Sequence, residues 1–337
     1  MNINKPFKIL SLTGGGYRGL YTATVLENIE SHLKKKNKDD CIANYFDLIT
    51  GTSIGGIIAL ALAYEIPAKD IVNIFDKNGK QIFKKNHFTL LGIFKAKYKS
   101  DRLKTILTEW FGDAKLGDLK HPVVIPSVDY TVGKPVTFKT AHNCNFIRDW
   151  ELRIVDVALA TSAAPTFFKR HTINKSEYVD GGLFANSPSL IGLHEAENYF
   201  EQNTENVKIL SIGTMSSKKT INPNTNKKGG LVDWGEGNFI NAAENIIELT
   251  LSSQQLFMQQ IVKHRIKENL VEIDENLTES SAKYVGLDNV TDSAKQILIS
   301  NANQSSKVAL GKKAVLEFFN EPVNKPIFFE GSQKIHE

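Results

Sequence analysis

A serine set between glycines, Gly51-Thr52-Ser53-Ile54-Gly55, is the part of this sequence best suited to chemistry. Tyr45 to Thr50 before it reads as a strand, and Ile57 to Tyr64 after it as an apolar, alanine-rich helix. GxSxG at a strand-to-helix turn is the pattern of a nucleophile elbow. Gly51 and Gly55 relieve crowding at the bend, the hydroxyl stands out above the sheet, and the helix aims its N-terminus at the charge that develops. Such a serine attacks an ester once a partner takes its proton.

The chain offers two kinds of partner. None of the eight histidines stands in a loop signature after a late strand, and His171 and His194 are the least unsuitable. The carboxylate alternative is Tyr178-Val179-Asp180-Gly181-Gly182, an acid ending a short apolar stretch on a turn that Gly181 and Gly182 leave open. An aspartate acts as general base where desolvation raises its pKa and a hydrogen bond to the hydroxyl orients it. The same dipeptide also makes ordinary Asp-Gly turns, so this segment taken alone leaves both readings open.

A second glycine turn, Gly14-Gly15-Gly16-Tyr17-Arg18-Gly19, has the GxGxxG form of a dinucleotide site. That reading requires an acid ending the next strand about 20 residues on. Here the position falls in the lysine-rich stretch Lys34 to Asp40, where Asp39 and Asp40 end no strand. Glycines at a helix start still let backbone amides approach a negative charge, so the turn can serve as an oxyanion hole.

Certain elements must position these turns. Phe7 to Leu12 and Tyr45 to Thr50 are strands, each followed by a glycine turn and a helix, and two such units indicate a parallel sheet with crossover helices. Further strands are expected at Val123 to Val128, Lys134 to Thr140 and Val207 to Ile212. Helices are expected at Leu20 to Leu33, Ile154 to Leu159, Ser189 to Phe200, Phe239 to Arg265 and Asp292 to Phe319. Met215 to Gly237, rich in Lys, Asn, Ser and Gly, reads as a long exposed loop or lid.

The length, 337 residues, with 41% apolar and 23% charged residues, describes a globular chain and excludes disordered, collagen-like and disulfide-scaffold classes. The longest apolar stretch, Ile54 to Tyr64, is too short to span a bilayer. No secretion signal opens the chain, and Cys41 and Cys144 stand apart with no ligand companions, so a cytoplasmic protein without a metal site is expected. A net charge of +4 does not argue for nucleic acid.

Taken in order, GGGYRG at Gly14 to Gly19, GTSIG at Gly51 to Gly55 and DGG at Asp180 to Gly182 resemble the patatin-like phospholipases. Ala160-Thr161-Ser162-Ala163-Ala164-Pro165 is similar to the segment that precedes DGG in that family, and the resemblance covers about Lys8 to Gly213. It implies an α/β fold of three αβα layers with a mostly parallel central sheet and a helical C-terminal extension. The catalytic core would be residues 7–213, and residues 214–337 a loop and helical extension acting as lid or regulatory part. It further implies a Ser53–Asp180 dyad cleaving acyl esters of membrane phospholipids. Gly14, Gly15 and Gly16 amides would form the oxyanion hole, Arg18 would stabilise the loop or the charge, and no metal or cofactor would take part. Thr13 stands where many plant-type members carry an acid.

Within that group the start Ile9 to Tyr21 looks most similar to bacterial effectors of antiphage (CBASS) signalling. That likeness implies a cyclic dinucleotide activator, attack on the inner face of the cell's own membrane in antiviral defence, and homo-oligomers on activation. Lys80 to Lys104 interleaves basic residues with Phe83, Phe88, Leu90, Leu91, Phe94 and Tyr98, a candidate peripheral membrane contact unless those aromatics face the core. The rival readings are a nucleotide-dependent oxidoreductase built on Gly14 to Gly19, and an inactive binding protein of the same fold.

Overall fold

The computed structural model describes residues 5–35, 37–84, 96–215, 229–235 and 242–334. In chain order the elements are β1 (Phe7–Leu12), α1 (Gly19–Lys34), β2 (Leu48–Gly51), α2 (Ile54–Ala63), α3 (Ala68–Ile82), α4 (Ser100–Phe111), β3 (Val123–Asp129), β4 (Lys134–Lys139) and α5 (Ile154–Thr161). They continue with β5 (His171–Ile173), β6 (Ser176–Asp180), α6 (Gly182–Ala185), α7 (Ser189–Tyr199), β7 (Val207–Ile212), α8 (Leu231–Trp234) and α9 (Ala242–Ile266). The last are β8 (Leu270–Ile273), α10 (Glu279–Ala282), α11 (Asp292–Leu310) and α12 (Lys313–Leu316).

β1 is apolar at four of its six positions and buried along its whole length, as expected of a strand covered on both faces. Its side chains alternate between two cores. Leu10 and Leu12 join Ile49, Ile125 and Ile212 under α1 and α2, whereas Phe7 and Ile9 join Leu48, Val124 and Ile209 against α7 and the end of α9. Three αβα layers follow from that alternation. The helix α2 is buried almost all round, from Gly55 to Ala63, because it is apolar on every side and lies between the sheet, α1 and α5. On α1, the spaced residues Leu20, Val25, Leu26, Ile29 and Leu33 are all buried, and its neighbours are α3 and α11. Each such large side chain stabilises the fold by roughly 1.5–3 kcal/mol.

The sheet order is β5-β6-β3-β2-β1-β7-β8, with β4 paired to β3. The strands from β3 through β8 in that order are parallel, while β4, β5 and β6 are antiparallel additions. Leu12 of β1 stands opposite Gly51 of β2 and opposite Ile212 of β7. Both glycine turns therefore leave the same carboxyl edge side by side, where open α/β sheets place their ligands. Asp180 ends β6 opposite Ser127 of β3, and β3 also pairs with β2 at Thr50.

The structure differs from the sequence expectation in several places. A short 3-10 turn, Ile42–Tyr45, precedes β2, which spans only Leu48–Gly51, because Asn44, Tyr45 and Asp47 interrupt the apolar run. β5 and β8, short strands of three and four residues, carry too little alternation to be read from pattern alone. β8 lies in the C-terminal part and extends the parallel sheet beside β7. Of the expected Met215 to Gly237 loop, Leu231–Trp234 forms a helical turn, α8, while residues 216–228 and 236–237 lie outside the described residues.

The basic segment Lys80 to Lys104 divides in the same way, with residues 85–95, including Phe88, Leu90, Leu91 and Phe94, outside the described residues. Its described aromatics turn inward. The Phe83 ring sits 5.4 Å from Tyr98 and 6.2 Å from Phe168, and Tyr98 is buried. Lys97 pairs with Glu244 at 2.9 Å and Asp288 at 2.6 Å, and Lys80 with Asp292 at 2.9 Å. Among the described residues, then, this segment serves packing and ion pairing.

Candidate active site

Ser53 caps α2 with φ 55° and ψ −124°, a backbone state that non-glycine residues rarely adopt and that stores roughly 1–3 kcal/mol of strain. The surroundings hold it there. A Cβ on Gly55 would stand 2.3 Å from the carbonyl oxygen of Leu12, so β1 and α2 approach closely only because residue 55 is glycine. Gly51 ends β2 just before the bend. The Ser53 amide donates to the Thr161 hydroxyl at 3.0 Å, and that hydroxyl donates in turn to the Pro126 carbonyl at 2.6 Å.

The Ser53 hydroxyl donates to Asp180 Oδ2 at 2.7 Å. Asp180 is buried, and its other oxygen accepts the Gly182 amide at 2.7 Å. Burial pushes the carboxyl pKa up to about 6, against the opposing hydrogen bonds from Ser53 and Gly182. The acid turn is fixed by two backbone bonds, from the Asp180 amide to Ala163 O at 3.1 Å and from the Gly181 amide to Thr161 O at 3.3 Å. Thr161 thus touches both segments, its hydroxyl holding the serine and its carbonyl the acid turn. The sequence carries no sign of this beyond the place of Thr161 in the Ala160 to Pro165 segment. Thr161→Val keeps the shape and removes both hydroxyl bonds. We expect a stability loss of about 1–3 kcal/mol in thermal unfolding, from the buried groups left unpaired, and a fall in kcat of about tenfold with KM nearly unchanged.

The first glycine turn divides its amides. Gly14 N–H donates to the Asn186 carbonyl at 2.9 Å, so Gly14 is removed from the expected set of oxyanion donors. Its carbonyl is held as well, by the Thr214 hydroxyl at 3.1 Å and by Asn186 Nδ2 at 3.4 Å. Gly15 and Gly16 donate to no described residue, and both line the pocket that holds Ser53 and Asp180. Gly16 has φ +57°, where a side chain would be strained. Tyr17 N–H donates to Leu287 O at 2.7 Å, which ties the turn to the C-terminal part of the chain.

Arg18 stands outside the pocket lining, and its amide donates to the Gly15 carbonyl within the turn at 3.1 Å. It is buried, with Glu248 and Asp274 as its charged neighbours, and burial lowers its pKa against their influence. Asp274 is a second carboxyl of raised pKa, at about 6 through desolvation, and it accepts the Met215 and Glu275 amides. His171 bonds Asp156 at 2.9 Å and His194 bonds Asn198 at 3.0 Å, and neither lines the pocket. Among the described residues no group of three or more His, Cys, Asp or Glu side chains could hold a metal ion.

The pocket encloses about 850 Å³, open space at its mouth included. Phe75 and Ile82 of α3, Leu103 of α4, and Ile247 and Leu251 of α9 give it an apolar wall suited to a hydrocarbon chain. Asn186 joins the catalytic turns to α9, since its amide donates to Gln255 Oε1 at 2.9 Å, and Gln254 donates to the Gly182 carbonyl. Asn186, Gln254 and Gln255 carry no motif in the sequence; only the fold brings them to the site.

The patatin-like phospholipase family matches residues 10–192, and the chain belongs to that family as a lipid acyl hydrolase. Its similarity to particular relatives extends over nearly the whole chain. A "cGAMP-activated phospholipase" of Pseudomonas aeruginosa is 38% identical, with 97% of this chain and 96% of that protein covered. Proteins of the same description from Vibrio cholerae and Escherichia coli are each 36% identical, covering 96% and 95% of this chain and 97% and 95% of theirs.

Proposed function

We propose that this enzyme hydrolyses fatty acyl esters of membrane phospholipids with Ser53 as nucleophile and Asp180 as general base. The observation that carries the reading is the 2.7 Å hydrogen bond from the Ser53 hydroxyl to a buried carboxylate, at the edge of an apolar pocket. Ser53 Oγ adds to the ester carbonyl as its proton passes to Asp180, and the tetrahedral oxyanion faces the Gly15 and Gly16 amides. Collapse expels the lysolipid alkoxide, which takes the proton from Asp180. A water molecule then gives a proton to Asp180 and attacks the acyl-enzyme, and the second collapse returns the proton to Ser53 and frees the fatty acid. The dyad needs no histidine, because a carboxyl raised to about 6 is still ionised at neutral pH yet more basic than an exposed aspartate.

Residues 7–213 form the catalytic core in this reading, and residues 214–337 carry regulation, cGAMP being the activator as in the relatives' names. The setting would be the cytoplasm, with the inner membrane face as target and antiviral defence as the purpose. No helix among the described residues is long and apolar enough to cross a membrane. The test is release of fatty acid from phospholipid vesicles with and without cGAMP. We expect at least a tenfold increase on adding cGAMP. Equal rates in both conditions remove the activator, and no release in either removes the substrate class.

A further inference from the structure

The two faces of α9 meet different surroundings. One faces the catalytic pocket: Ile247 and Leu251 line it, while Gln254 and Gln255 bond to Gly182 and Asn186. The opposite face, at helical spacing, presents Ile246, Leu249, Ser253, Leu256, Phe257 and Gln260 to solvent. Phe257 is 64% exposed and Leu256 47%. From Leu249 to Val262 the sequence contains no charged residue. Solvent-facing helices ordinarily carry charge on the outer side. In this same chain α3 does so, five of its six exposed positions being charged, Lys69, Asp70, Asp76, Lys77 and Lys80, with Gln81 the sixth. The neighbouring α8, whose Trp234 carbonyl accepts from Asn245 at 2.9 Å, adds Val232 at 56% and Trp234 at 46% exposure.

We propose that the outer face of α9, together with Val232 and Trp234, is the surface on which this enzyme docks to a lipid bilayer. Three observations favour a bilayer as the occupant. The exposed stripe lies on the same helix that supplies Ile247 and Leu251 to the apolar wall of the pocket, so docking there brings the bilayer against the element that walls the acyl site. Leucine, phenylalanine and tryptophan mixed with uncharged Ser, Thr and Gln suit the headgroup boundary, which penalises buried charge. Lys263, exposed where the uncharged stretch ends, can meet an anionic headgroup. The bonds from Gln254 and Gln255 would carry the effect of docking to the acid turn and to Asn186. This proposal rests on the phospholipase reading, and it moves the expected membrane contact from Lys80–Lys104 to α9.

The experiment uses the full chain carrying Ser53→Ala, so that vesicles survive, and measures co-sedimentation with phosphatidylethanolamine–phosphatidylglycerol vesicles in the presence of cGAMP. Adding Leu256→Ser with Phe257→Ser is expected to weaken partition more than about tenfold. Ile327→Ser, which alters an equally exposed apolar residue elsewhere (60%), is expected to change it by less than about twofold. Both positions on α9 are exposed, and circular dichroism melting checks that the variant is folded. With Ser53 intact, the ratio of vesicle hydrolysis to hydrolysis of a dispersed short-chain ester should fall at least tenfold. Equal partition of the two chains overturns the proposal. So does a variant that loses self-association while its partition is unchanged, which assigns the face to a second copy of the chain. Should the parent chain cleave neither ester, the catalytic reading fails, while partition still decides the docking.

Discussion

Ser53→Ala is expected to lower fatty acid release by at least about 10⁴-fold while leaving the fold intact, because it deletes the atom that forms the acyl-enzyme. The size of the effect comes from cooperation among the parts. Asp180 has no proton to take once the hydroxyl is gone, and the Gly15 and Gly16 amides have no covalent intermediate to hold. Little structural damage is expected, since among the described residues the hydroxyl bonds to Asp180 alone, and the neighbouring amide bond to Thr161 is made by the backbone. The strain at φ 55° remains in the variant, and so does the close approach of β1 and α2 that imposes it. Release from phospholipid, followed with the activator present, is the direct measurement; a variant within a hundredfold of the parent would remove Ser53 as nucleophile. Labelling by a fluorophosphonate, lost in the variant and mapped to Ser53 in the parent, provides the second reading.

Asp180→Asn is expected to separate activity from stability. The amide cannot accept the serine proton, so release should fall by about 10³-fold or more. Stability should move the other way. Burial raises the Asp180 pKa from 3.8 to about 6, so the folded state binds its proton more tightly than the unfolded state does. The stabilising contribution of the protonated form is fully present below about pH 4 and is lost as pH rises through about 6. Above that the ionised carboxylate destabilises the fold by about 3 kcal/mol relative to a group that never ionises. The asparagine amide is such a group. The variant should therefore match the parent in denaturant titrations near pH 4 and exceed it by about 2–3 kcal/mol at pH 8, a difference that an equal midpoint at both pH values would exclude. The parent's kcat/KM should fall about tenfold per unit of pH below about 6, as the general base becomes protonated.

The sequence by itself determined the two strand–glycine–helix units and the fold class, because each signal lies within a dozen residues. The apolar run Phe7 to Leu12, the glycines after it and the spaced apolar face of α1 fix one another locally. GTSIG fixes its elbow in the same way, through crowding among immediate neighbours. Motif order alone was enough to suggest the family. Short elements were less legible: β5 and β8 are stabilised by pairing with β6 and β7 rather than by any pattern of their own.

Only the tertiary structure decided which groups meet. Asp180 and Ser53 lie 127 residues apart, and they touch because β6 runs antiparallel beside β3, a pairing that no local propensity encodes. Gly14 and Gly15 are adjacent and chemically identical, yet one amide is bonded to Asn186 and the other residue lines the pocket. The inward turn of Phe83 and Tyr98, the place of Arg18 beside Asp274, and the division of α9 into a pocket face and a solvent face have the same origin. Each depends on which distant surface packs against it. Local sequence names the groups that can react, while strand order and helix packing choose their partners.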